Sequence, residues 1–72
     1  MMPLMIAPMG VSLNVRRVSG DEKVRRHLEA LGIIPDQKIS LLSTTNNGVI
    51  VLVNDSRLAL DNQVARNIYV EA

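Results

Sequence analysis

The chain contains no cysteine, tryptophan or phenylalanine, and Tyr69 is its only aromatic residue. Without cysteine there are no disulfides and no thiolate metal sites, so a hydrophobic core alone must hold the fold. At 72 residues that core is small; a chain of this size hides only about 60% of its unfolded surface. With almost no aromatics it must be built from Val, Leu, Ile, Met and Ala. Charge excess is missing too: eight Lys and Arg face seven Asp and Glu, for a net charge of +1. A nucleic-acid binder usually shows a basic patch and often stacking aromatics, so no nucleic-acid partner is expected. No apolar run approaches the roughly 20 residues that span a bilayer. The first fourteen residues are apolar, but they lack a basic n-region and are broken by Pro3 and Pro8. They suit neither a membrane span nor a signal peptide. Absence of cysteine fits a reducing compartment. The expectation is a single cytoplasmic domain over residues 1–72, without membrane insertion.

The apolar pattern is mainly that of β-structure. Met1 to Met9 reads as an extended segment over a sheet edge, and Met9-Gly10 as a turn. Val11, Leu13 and Val15 alternate with Ser12, Asn14 and Arg16, the period of a half-buried strand, and Val18 shifts the phase. Ser19 with Glu22 fits a capping box. Val24, Leu28 and Leu31 then fall at i, i+4 and i+7, one stripe of a helix. Gly32 sits where a left-handed cap ends a helix, and Pro35 forbids continuation. One α-helix is expected over about 21–31.

Ile39 and Leu41 point inward from the next strand. Thr45-Asn46-Asn47-Gly48 predicts a hairpin with a type I′ turn. Val49 to Val53 is an unbroken apolar strand. Because strand side chains alternate, one set of that strand, Ile50 with Leu52 or the three valines, must face outward. Either the helix or the N-terminal segment covers that set, or it is a surface for a partner or a second copy. Asn54-Asp55 makes another tight turn, Leu58 and Leu60 point inward, and Asp61 caps a short helical turn over about 62–66. Ile68 and Val70 close the sheet. Five or six short strands favour a closed small barrel, since closure removes edges.

Little in the chain suggests catalysis. The single histidine, His27, borders the apolar stripe, and Glu29 at i+2 is poorly placed to share a metal with it. Met1, Met2, Met5 and Met9 are read as flexible packing groups. No serine has a nucleophile-elbow setting. Gly10, Gly20, Gly32 and Gly48 are isolated and cradle no phosphate. No cofactor, catalytic residue or metal ligand is expected. Arginine is enriched at binding hot spots, which makes Arg25, Arg26, Arg57 and Arg66 the charges to follow.

Three segments carry a family resemblance. They are Arg26 and Leu28 with Leu31-Gly32-Ile33-Ile34-Pro35, then Ser56-Arg57-Leu58-Ala59-Leu60, then Ala65 with Ile68-Tyr69-Val70. In order and spacing this resembles the FeoA family, small cytoplasmic proteins of bacterial ferrous iron transport. Two positions depart from the family pattern: Asp36 and Asp55 stand where glycines are usual. The resemblance implies a mainly β, SH3-like barrel of five to six strands with one inserted helix. It implies a non-enzymatic accessory role, exerted by docking on a membrane ferrous-iron transporter that carries a cytoplasmic GTPase domain. Arg25, Arg26, Gly32, Pro35 and Arg57 are the expected partner-binding residues. The same barrel resembles the C-terminal domain of some metal-dependent repressors, although no winged-helix portion is present. The runner-up function is therefore a metal-responsive regulatory module, which requires His27 and nearby carboxylates to converge.

Overall fold

Alternating valines and leucines, interrupted by turns that need left-handed backbone, build a curled antiparallel sheet. The computed structural model describes residues 1–72. In chain order the elements are β1 (Met2–Pro3), a 3-10 turn (Leu4–Ile6), β2 (Leu13–Val18), α1 (Glu22–Ala30) and β3 (Lys38–Thr44). They continue with β4 (Gly48–Val53), β5 (Ser56–Asp61), α2 (Asn62–Ala65) and β6 (Ile68–Glu71). The sheet order is β1-β6-β2-β3-β4-β5. Every strand ladder is antiparallel. The fold is the expected mainly β one, with the helix and the short helical turn where the pattern put them.

The core is aliphatic throughout and contains no buried polar or charged residue. β2 contributes Leu13 and Val15, β3 Ile39 and Leu41, and β6 Ile68 and Val70, all at 1% exposure or less. α1 adds Leu28 and α2 adds Ala65, while Val24, Leu31 and Leu58 pack at the margin. β4 turns Val49, Val51 and Val53 inward. Ile50 and Leu52 are therefore the outward set, half-buried between Ser43 and Ala59 and between Ser40 and Arg57.

Several expectations need correction. The closed barrel is open between β1 and β5, which share no ladder. β1 stays short because Pro3 offers no N–H and the chain then tightens into the 3-10 turn. The N-terminal segment does cover an edge, that of β6. It is not extended throughout, however, and it sends Leu4 fully into the core. Val11 is 43% exposed and lies outside β2. Gly10, at φ 76°, turns the chain there, and its N–H donates to the Leu41 carbonyl. The phase shift at Val18 is a β-bulge between Val15 and Arg17.

The helix is capped by Asp21, not Ser19. The Asp21 carboxylate accepts the Val24 N–H at 2.9 Å. Gly20, at φ 98°, separates Ser19 from the helix, and the Ser19 hydroxyl bonds to Asn67 instead. The β3–β4 hairpin forms without a type I′ turn, because none of Asn46, Asn47 and Gly48 has positive φ. The Thr45 hydroxyl accepts from the Asn47 and Gly48 N–H groups, a side-chain-closed turn. Positive φ appears at the β4–β5 turn, at Asn54 (51°) and Asp55 (64°), and again at Asp36 (74°). The two aspartates that stand in for glycines both adopt the glycine-like conformation, as short polar side chains can.

Gly48 serves close approach. A Cβ there would fall on the Leu60 carbonyl oxygen and 2.9 Å from the Asp61 Cα. Gly48→Ala should therefore lose more than about 2 kcal/mol by denaturant unfolding. Gly10→Ala has open space around it and should lose only about 1 kcal/mol, for its positive φ.

Candidate functional site: a groove between α1 and its exit loop

α1 has two working faces. Val24, Leu28 and Leu31 hold it to the sheet. Glu22, Arg25, Arg26 and Glu29 recur at i, i+3, i+4 and i+7, so they form one exposed row. The helix stops by a Schellman cap: the Ile33 N–H donates to the Leu28 carbonyl and the Gly32 N–H to the Glu29 carbonyl, both at 2.9 Å. Gly32 takes φ 87°, and a Cβ there would approach the Asn54 amide nitrogen to 2.9 Å. The reversal buries Ile33 at 1% exposure and leaves its neighbour Ile34 at 41%.

The charged row of α1, Val18 of β2 and Ile33-Ile34-Pro35 enclose a groove of about 370 Å³. Its floor is apolar and its helical wall carries both signs. Arg26 is tied to Glu22 at 2.8 Å, an exposed pair of small energetic weight. Arg25 and Glu29 form no ion pair.

Behind the loop runs a chain of charges that sequence reading missed. The Arg16 guanidinium donates to Asp36 at 3.0 Å and to Glu71 at 2.9 Å, and Glu71 also meets the Met1 amine at 3.3 Å. Arg16 read only as an outward residue of β2. Its partners lie 20 and 55 residues away, beyond any local signal. The Asp36 N–H also donates to the Val15 carbonyl, which seats the turn after Pro35 on β2.

The expected partner-binding residues divide. Arg25, Arg26 and Pro35 come together in the groove, and Gly32 lies behind it as the cap that shapes it. Arg57 does not join them. It is exposed on β5, opposite Leu52, on the outer side of the sheet. Glu22, Glu29, Val18 and Ile34 are groove residues that sequence reading did not single out, although helical periodicity places both glutamates beside the arginines. His27 is exposed, and no three of His, Cys, Asp and Glu gather where a metal could sit. No helix is long and apolar enough to cross a membrane.

Comparison with known proteins bears on the family and the fold. The family model described as FeoA domain matches residues 2–72. The chain belongs to the FeoA family. No curated protein matches it. Among solved structures it is similar to the crystal structure of an iron uptake regulatory protein, FeoA. Identity there is 25%, over 97% of this chain and 95% of that one, with a TM-score of 0.87. It is similar also to FeoA from Chlorobium tepidum, with 26% identity over 97% and 69% of the two chains and a TM-score of 0.85. FeoA from Stenotrophomonas maltophilia, solved with zinc and described as a procaryotic SH3 domain protein, shares the fold. Identity is 22% over 99% and 91%, with a TM-score of 0.81. The repressor ScaR with bound Zn²⁺ contains the same fold in part. The FeoA-like chain spans 36% of its length, at 22% identity and a TM-score of 0.87. Family membership links this chain to ferrous iron transport and an SH3-like fold.

The Arg16 hydrogen bond, and after it the Met1 amine, hold the Glu71 carboxyl below its ordinary value of 4.5. A carboxylate with lowered folded-state pKa stabilises above its unfolded pKa, and that contribution is lost as pH falls through the folded value. Thermal melts of Glu71→Gln should show the largest deficit against the parent near neutral pH. The deficit should shrink as pH falls below about 4.5 and vanish once Glu71 is protonated in both states.

Proposed function

We propose that this FeoA-family chain is a non-enzymatic accessory module that docks its α1 groove on the cytoplasmic, GTPase-bearing part of a membrane ferrous-iron transporter. The observation that carries this reading is the groove itself. Residues that carry the family pattern around Gly32 and Pro35 help to line it, with unpaired Arg25 and exposed Ile34 at its walls. The sheet acts as a rigid frame, and the helix with its exit loop supplies the recognition surface. The reading puts the chain on the cytoplasmic side. In this reading the module acts by contact.

Arg57 and the outward Ile50 and Leu52 form a separate surface on the sheet. In this reading they are secondary to the groove, because they line no part of it.

Titration of the transporter's isolated cytoplasmic part into the chain tests the proposal. Association at tens of micromolar or tighter is expected. Arg25→Glu should weaken it by about tenfold, roughly 1.4 kcal/mol. Arg57→Glu should change it by less than about threefold, a rim-charge effect. No association of the unmodified chain in that range would remove the docking reading. Equal sensitivity to Arg57 would move the interface onto the sheet.

A further inference from the structure

The charge pattern of the groove restricts what it can hold. Four charged side chains line it, two of each sign, so their sum is zero. Arg26 and Glu22 neutralise each other at 2.8 Å. Arg25 and Glu29, one helical turn apart, could pair but do not. Arginine preceding glutamate is the weaker order for such a pair, so both remain free for another molecule. A groove with one free donor set and one free carboxylate matches a peptide main chain, which offers a carbonyl and an N–H. Along one edge of an extended chain carbonyls and N–H groups alternate, so both kinds of partner can be met from the same side. The floor beside them exposes Ile34 at 41%, next to Pro35, an uncovered apolar step for one side chain. Its volume, about 370 Å³, is at the small end for ligand sites, suited to a short segment.

We propose that the α1 groove takes a short, extended, uncharged segment of a partner protein. Arg25 binds a main-chain carbonyl, Glu29 binds a main-chain N–H, and an apolar anchor side chain sits on Ile34 and Pro35. This inference rests on the docking reading for its biological setting and adds the chemistry of the docked segment. An acidic or basic segment gains nothing here, because either finds as much repulsion as attraction in the walls.

The test titrates three tetrapeptides, each acetylated and amidated at its ends, into the ¹⁵N-labelled chain and follows amide shifts. One is built of leucine and alanine, one has aspartate flanks and one has lysine flanks. The neutral peptide should move the amides of Arg25, Glu29 and Ile34. Its affinity should change less than about threefold between low and high salt, since no net charge is matched. Arg25→Gln and Glu29→Gln should each weaken it by about threefold to tenfold. Tenfold tighter binding of either charged peptide would overturn the proposal, as would the absence of groove shifts with all three. Peptide binding in the groove without association of the transporter's cytoplasmic part would support this inference and remove only the docking reading. Transporter association without any peptide response would do the reverse.

Discussion

The structure depends most on the chain reversal at Gly32. A helix that reaches Leu31 must end there, because Leu28 is already fully buried and the next residues are needed in the sheet. Only a left-handed residue lets the Ile33 N–H return to the Leu28 carbonyl. The same residue lies against Asn54, so a side chain would strain the backbone and press on the β4–β5 turn as well. From this single reversal follow the buried Ile33, the exposed Ile34, the Pro35 corner and the groove. Asp36, at φ 74°, then completes the turn into β3, held by the Val15 carbonyl and by Arg16.

A small aliphatic core makes these turns important. Without aromatics or disulfides, burial is spread over many short side chains, each worth about 1.5–3 kcal/mol when fully buried. Register then matters more than any one contact, since a slip of one residue would turn Val49, Val51 and Val53 outward. Gly48, the side-chain-closed turn at Thr45 and the left-handed pair Asn54-Asp55 fix the register at both ends of β4. The open edge between β1 and β5 is tolerated because β1 has only two residues and β5 carries exposed Arg57 and Asp61.

Much of this was legible in the sequence wherever period and turn chemistry agreed. Leu28 with Gly32 and Pro35 marked the helix and its end, and the Asp61 cap and the inward Ile39, Leu41, Ile68 and Val70 were readable from alternation. The misses have specific causes. Ser19 looked like a cap because spacing cannot show that Gly20 turns the chain first. Asn47-Gly48 looked like a type I′ turn because a glycine required for close strand approach is spelled the same as one required for positive φ. Val11 fitted the alternation, but Gly10 had already bent the chain. At the site, the helical arginines were visible, while Arg57 was grouped with them through family motifs alone. The Arg16 chain to Asp36, Glu71 and Met1 joins residues too distant in sequence to leave a pattern.

The proposed function rests on the division of α1 into a face packed on the sheet and a face left exposed. Val24, Leu28 and Leu31 hold the helix in place, so Arg25 and Glu29 stand at fixed positions over an apolar step. Recognition by such a surface needs shape and two hydrogen-bonding groups rather than strong charge, which suits a chain whose net charge is +1. The claim that Gly32 creates this surface is tested most directly by the amide spectrum of Gly32→Ala. The account predicts a folded protein with shifted signals at Ile33, Ile34, Asp36 and Asn54, and a stability loss of about 1–2 kcal/mol. A spectrum unchanged at those four residues would contradict it.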